Sequence, residues 1–391
     1  MLKILYMSWF SSGEGSKIHA KEFAHAMELL GNDVITKDLS INNTQYTNVN
    51  NSVNKEKNRR SSVLRELKSL VMVVIRFLRL IYYLILYKPE LIIYRYSIYD
   101  ISGILAAKLY KVPIVYEING SIEYERNIAN RFYLKQLVTA SEQYIFNESN
   151  LVLLVSNELK RYFSNKNYYL ENTLVVPNGV DMDKFTVNTT LPKEIESIKQ
   201  LWSTKKVIGF LGSLKSWHGA ERIIEIFPDI LEKNKEVRYL IIGDGDRRAE
   251  TESKIKQYNL QDYVYITGFQ DYTIIPSILD VIDIAVAPYH TIDFFHFSPL
   301  KVMEYMAKGK PVVAPALGQC VDLIGHDHGI LLKENTDACL TNSILTLVMD
   351  EHLARNMGIK ARKFIEQNYT WKQNARRIEE ALQGKRIRRP R

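Results

Sequence analysis

Residues 297–314 hold the residue types and spacing best suited to chemistry in this 391-residue chain. Ser298 and Pro299 read as the N-cap and first residue of a helix, with Leu300 and Lys301 in its first turn. Gly309 reads as its end, and Pro311-Val312-Val313-Ala314 as a buried strand. The first turn of such a helix carries N–H groups without intrahelical acceptors and the positive end of the dipole, so it can hold a phosphate. Glu304, inside the helix, offers a carboxylate to hydroxyl groups. A phosphate beside hydroxyls is what a sugar nucleotide presents. A capped helix packed on a sheet, with no ligand, fits the same residues.

The elements that must position this segment alternate strand and helix. In the first half, strands are expected over 3–8, from 34, and over 91–94, 113–117, 151–156 and 173–177. Helices are expected over 17–30, 61–87, 101–110 and 131–147. Residues 41–60 are Asn-rich and polar and read as a mobile loop. The second half begins again with a buried strand over 206–212, then a helix over 220–231 and strands over 238–242, 264–267 and 282–287. Such alternation implies parallel sheets covered on both faces. The expected fold class is α/β, with two Rossmann-like doubly wound domains facing each other across a cleft. Ligands would sit at the carboxyl ends of the strands. The domains are expected at 1–178 and 179–370, with 177–205 as linker. A helix over 371–391, ending in a basic tail, would return to the first domain.

Composition narrows the function classes. Hydrophobic residues make up 46% and charged residues 25%, ordinary for a globular protein. Residues 1–180 hold 22 Lys and Arg against 16 Asp and Glu, and the tail Lys385, Arg386, Arg388, Arg389, Arg391 is wholly basic. The net charge of +8 therefore resides in the first half and the tail. Nucleic-acid binding would rest on charge alone and is not expected. Cys320 and Cys339 fit no metal spacing and suit a reducing compartment. The start lacks the long apolar core and small-residue cleavage site of a signal peptide. The expected location is cytoplasmic, with the inner face of the plasma membrane as a peripheral site.

Four segments together resemble a known family along nearly the full chain. They are Val176-Pro177-Asn178-Gly179-Val180-Asp181, Gly212-Ser213-Leu214-Lys215-Ser216-Trp217-His218-Gly219, Ile242-Gly243-Asp244-Gly245 with Ile266-Thr267-Gly268-Phe269, and the 297–314 stretch. In that order and spacing the chain resembles the retaining glycosyltransferases of the GT4 group, whose architecture is GT-B. The resemblance implies that Glu304 is the second Glu of a Glu-x7-Glu motif and reads the nucleotide ribose. It implies that Leu300 and Lys301 hold the distal phosphate through backbone N–H groups, beside Ser298. The first Glu of that motif falls at His296, a departure that bears on contact with the transferred sugar. Where relatives often carry Arg and Lys on the diphosphate, this chain has Ser213 and His218, with Lys215 as a substitute charge. Gly268 and Phe269 complete the implied donor site, and Gly15 lies after the first strand, with Gly13, where the backbone can approach a ligand closely.

In the first half, Asn119 stands where relatives often have His, within Glu117-Ile118-Asn119 and ahead of Glu123, Glu125 and Arg126. It reads a sugar hydroxyl or is a plain turn residue. The implied catalytic set is thus Asn119, His296 and Glu304. The implied reaction moves a sugar from a nucleotide sugar to a hydroxyl of a glycan or lipid-linked acceptor, in surface polysaccharide or glycolipid assembly. The resemblance implies retention of configuration and neither metal nor cofactor. A nucleotide-sugar-binding protein without catalysis and a GT-B sugar epimerase are the alternatives. A dinucleotide oxidoreductase is disfavoured, because position 18, where a third glycine would close the fingerprint, is Ile.

The helix expected over 61–87 carries a second signal. Arg65, Lys68, Arg76 and Arg79 fall within an arc of about 80° at 100° per residue. Arg76 and Arg79 interrupt the apolar run and argue against a membrane span. The basic arc is either the solvated face of a core helix or a docking face for an anionic membrane surface.

Overall fold

In the computed structural model the described residues are 1–8, 14–38, 55–121, 124, 134–187 and 189–384. The chain divides into two compact units, Met1–Pro177 with Trp371–Arg391, and Asn178–Thr370. The first unit is built on β1 (Lys3–Ser8), β2 (Asp33–Asp38), β3 (Leu91–Arg95), β4 (Ile114–Ile118), β5 (Leu151–Leu154) and β6 (Thr173–Val175). They are joined through α1 (Glu14–Leu29), α2 (Lys55–Tyr87), α3 (Ser102–Tyr110), α4 (Lys135–Glu148) and α5 (Asn157–Asn165). The sheet is parallel in the order β2-β1-β3-β4-β5-β6. Runs such as Leu91-Ile92-Ile93-Tyr94 are buried throughout, as a sheet covered on both faces requires.

The second unit opens with α6 (Lys193–Leu201) and carries β7 (Lys206–Leu211), β8 (Val237–Ile242), β9 (Val264–Ile266), β10 (Ile284–Val286), β11 (Val312–Pro315) and β12 (Gly329–Leu332). Between them lie α7 (Ala220–Lys233), α8 (Arg248–Gln257), α9 (Ile275–Leu279), α10 (Leu300–Ala307) and α11 (Cys320–Ile324). After β12 come α12 (Asp337–Met349) and α13 (Glu351–Asn368). The strand order is β12-β11-β10-β7-β8-β9. The order reverses between β7 and β10, and in the first unit between β1 and β3. In sheets of this kind such switch points open a crevice at the strand carboxyl ends. The last helix, α14 (Trp371–Gly384), packs on α1 within the first unit. Trp371 meets His19 edge-on at 5.0 Å, and Asn374 donates to the Pro177 carbonyl at 2.7 Å.

Three expectations are corrected. The segment expected as a linker belongs to the second unit: Val180, Phe185, Ile195 and Trp202 are buried in its core, and 193–201 is helical. Helix α2 starts at Lys55, earlier than position 61. Its basic arc is not one outward face. Arg76 turns inward to Asp100, Nη1 to Oδ2 at 2.9 Å, and that carboxylate also accepts from Tyr94 at 3.0 Å and from Ser102. A buried carboxylate needs a charged partner, and Arg76 is within reach. Lys68 and Arg79 are exposed, while the side chain of Arg65 and the tail 385–391 lie outside the described residues.

Candidate functional site

The switch point of the second unit gathers the residues expected at the donor. β7 ends in Gly212, whose φ of +134° a side chain would strain, and whose added Cβ would stand 2.9 Å from Lys301 Nζ. The loop continues through a 3₁₀ turn, Ser216–His218, to Gly219 at φ +71°. Gly219 abuts the carbonyl of Pro288, just past β10, so only a glycine lets the two loops meet. Gly243, past β8, abuts Gly212 and bridges to Gly268 past β9. Gly268 is followed by Phe269, 64% exposed and so available for stacking. Ser213, His218, Gly268 and Lys301 are thereby placed around one strand-end crevice.

The helix start at α10 is held from an unexpected side. Ser298 does not cap it: the residue before the helix is Pro299, with no side-chain cap. The Ser298 hydroxyl accepts from the Asn178 backbone N–H at 2.9 Å, and its carbonyl accepts from the Asn178 side-chain amide at 2.7 Å. The Pro177-Asn178-Gly179 motif thus braces the entrance of α10. Tyr305, one turn further, accepts from Leu211 N–H at 2.5 Å and donates to the Val286 carbonyl at 3.3 Å. One phenol therefore ties α10 to the ends of both switch-point strands.

Lys301 is the residue whose side-chain role sequence reasoning missed. It is 8% exposed, and its ammonium has no hydrogen-bond partner among the described residues. It lies over the rings of Phe210 at 4.1 Å and Tyr289 at 5.2 Å. Burial pulls its pKa down to about 7, partly offset by Glu304 one turn along. Glu304 is itself buried, on the same helix. Lys215, expected to supply the missing charge, is exposed in extended backbone.

His218 differs from its expected role as a phosphate donor. Its Nδ1 lies 2.5 Å from the Ser213 carbonyl, which can only accept, so Nδ1 carries the proton. Burial and then the Lys301 charge hold its pKa down at about 3. The neutral ring presents Nε2 as an acceptor. His296 is 1% exposed, stacks on Phe294 at 4.6 Å and is held neutral by burial, with a pKa of about 4. A wall of Trp217, Tyr289 and Phe297 stacks beside it, with centroids of Trp217 at 5.8 Å and 5.1 Å from the other two. Among the described residues, no group of three or more His, Cys, Asp or Glu could hold a metal ion.

In the first unit, the end of β4 carries a buried charge cluster. Glu117 accepts from Tyr6 OH at 2.7 Å and lies 2.6 Å from His19 Nε2 and 3.9 Å from Arg95. The Asn119 amide also donates to it. Gly15 is in the first turn of α1, while Gly13, Glu123, Glu125 and Arg126 lie outside the described residues.

Residues 192–364 match the family described as glycosyl transferases group 1, and residues 14–184 match glycosyltransferase family 4. An uncharacterized glycosyltransferase of Methanocaldococcus jannaschii is 26% identical over 288 residues, 70% of this chain and 69% of that protein. The capsular polysaccharide biosynthesis glycosyltransferase CapM of Staphylococcus aureus is 24% identical over 281 residues, 68% of this chain and 70% of that protein. The crystal structure of Anabaena HepE in complex with UDP and glucose superposes with a TM-score of 0.72, over 98% of this chain and 100% of that one. At 18% identity this last likeness is one of fold.

Proposed function

We propose, from the premise that this chain belongs to the GT4-type glycosyltransferases and has their GT-B fold, that it moves a hexosyl group from a nucleotide sugar to a hydroxyl of a glycan or lipid-linked acceptor, with retention of configuration and without a metal. The observation that carries the donor class is the buried Lys301 ammonium, without a hydrogen-bond partner among the described residues, beside Gly212 and at the first turn of α10. A buried cation of this kind is satisfied by an anion, and a diphosphate spans the distance between a lysine and helix N–H groups. As the glycosyl bond breaks, charge grows on the departing diphosphate, and a fixed cation in a dry site stabilises it most at that moment. Glu304, further along α10, would accept from the ribose hydroxyls. The capsular relative favours surface polysaccharide as the product, and the UDP bound to HepE makes UDP-sugars the first donors to test.

The test is a thermal-shift screen of UDP, GDP, ADP and their sugars, followed by turnover with and without EDTA. One nucleotide is expected to stabilise the protein selectively by mass action. Turnover should survive EDTA, and the product should keep the donor's anomeric configuration by NMR. Glu304→Ala should weaken donor binding about tenfold or more, as expected for losing hydrogen bonds to a charged group. Unchanged affinity would sink the ribose assignment. Turnover abolished by EDTA, or an inverted product, would contradict the corresponding part of the reading. Selective binding with no turnover would instead identify a nucleotide-sugar-binding protein, a result that the His296 position makes meaningful.

A further inference from the structure

Helix α2 presents an apolar stripe outward. Leu67, Val71, Val74, Leu78, Tyr82 and Ile85 are each 50–62% exposed. Their spacing of three and four places them in an arc of about 80° along one side of the helix. From Leu67 to Ile85 the stripe runs about 27 Å at the usual helical rise. Within Glu66–Tyr87 an 18-residue window has a mean hydropathy of 2.1, and only 11% of that window is buried. Leu105 and Leu109 of the packed neighbour α3 are exposed as well. Isolated exposed leucines need no explanation, but a continuous stripe of this length does.

The opposite side of the helix is bound to the unit. Leu80 and Leu84 are buried, Glu66 accepts from the Leu134 N–H at 3.1 Å, and Arg76 pairs with Asp100. Near the far end, Lys37 lies over the rings of Tyr83 and Tyr87 at 5.7 and 5.1 Å. A span across a bilayer would strip away these partners and leave Asp100 buried without its cation. An orientation in the membrane plane keeps them all.

We infer that the outer face of α2 inserts in the plane of an anionic lipid surface, seating the first unit on a membrane through apolar contact. The choice of lipid over a second copy of the chain rests on charge. From Glu66 to Tyr87 the only carboxylate is the buried Glu66, while Lys68 and Arg79 are exposed along one edge of the stripe. Neither has a carboxylate partner among the described residues. Two such faces would oppose like charges, whereas cations beside an apolar stripe snorkel to anionic headgroups. This differs from a purely basic docking face, because the apolar stripe makes attachment resist salt.

The test is flotation of the full chain with vesicles of phosphatidylglycerol and phosphatidylcholine, at low and high salt. Val74→Glu with Leu78→Glu should lower binding about tenfold or more at both salts. Both sites are exposed, so circular dichroism and melting temperature should match the parent. Lys68→Glu with Arg79→Glu should lower binding mainly at low salt, since screening already weakens that part. In Leu78→Trp, brominated acyl chains should quench the new fluorescence, and alkaline carbonate should release the parent from vesicles. Binding unaffected by the double Glu change at 74 and 78 overturns the inference, as does binding lost to salt alone. Retention after carbonate would show a span instead. A dimer in solution that the same double change dissociates, with no vesicle binding, would assign the face to a second copy.

Discussion

Replacing Lys301 with Met is expected to stabilise the ligand-free protein and to remove most of its affinity for the donor. Lys301 is 8% exposed, its ammonium has no hydrogen-bond partner among the described residues, and burial holds its pKa down at about 7. Substituting buried ions by apolar groups of similar volume is often neutral or stabilising, and a gain of about 1–3 kcal/mol is expected here. The rings of Phe210 and Tyr289 already form the contact surface that a Met thioether would fill. The donor, by contrast, loses a charge-assisted hydrogen bond of about 2–3 kcal/mol, a factor of about 30–150 in dissociation constant. A lysine placed only for packing would leave donor affinity unchanged, and that result would overturn the assignment. The pH dependence gives a second reading. Between about 7 and 10.5 the unfolded chain holds the proton that the folded chain has shed, so stability contributed by this site rises with pH across that window. Donor binding runs the other way. The diphosphate favours the ammonium, so binding takes up a proton and weakens as pH rises above about 7. Calorimetry in two buffers of different ionisation enthalpy at pH about 8 reads the uptake directly. Lys301→Met should abolish both effects.

The strands were legible because burial on both faces writes itself as short continuous apolar runs. Lys206–Leu211 and Leu91–Arg95 are of this kind, and each is followed by a helical period. The parallel pairing followed from the alternation. The segment after Pro177 is not legible as part of the second unit because its anchors Val180, Phe185, Ile195 and Trp202 are spaced with neither period, and only the tertiary core reveals them. Ser298 looked like a cap because its neighbours fit one, yet its hydroxyl is claimed by Asn178, 120 residues away. Arg76 belonged to a clean arc on a helical wheel, but a wheel does not contain Asp100. The donor segments were legible as motifs, and the structure brings Gly212, Gly243, Gly268 and α10 to one set of strand ends. What the motifs did not reveal is which cation matters. Lys215 lies within the Gly212–Gly219 loop in sequence but is exposed, whereas Lys301 reaches Gly212 from a different element.

Replacing Glu117 with Ala is expected to cost about 3–5 kcal/mol of stability, the scale for removing one partner of a buried ion cluster. Glu117 is 3% exposed, and its carboxylate serves His19, Arg95, Tyr6 and Asn119, which come from α1, β3, β1 and the end of its own strand. Burial alone would raise its pKa, but the charges of His19 and Arg95 and the bonds from His19 and Tyr6 outweigh it and hold the carboxyl well below the usual range. A depressed folded pKa contributes stability above the unfolded value of 4.5 and loses it as pH falls below that value. The parent should therefore lose stability more steeply than Glu117→Gln between about pH 3 and 4.5, with the difference approaching one proton. Equal slopes would show that the carboxyl titrates normally and that the cluster is not coupled. Glu117→Gln carries the functional half of the prediction. A carboxylate only accepts, so it fixes the Asn119 amide nitrogen inward and leaves the Asn119 Oδ1 to accept from a hydroxyl. A glutamine amide can donate as well as accept, which frees Asn119 to turn over. If Asn119 reads a sugar hydroxyl, Glu117→Gln should raise the KM for the sugar-bearing substrate that meets it, while free-nucleotide affinity stays near the parent's. A melting temperature lowered with every kinetic constant intact would confine Glu117 to the stability of the first unit.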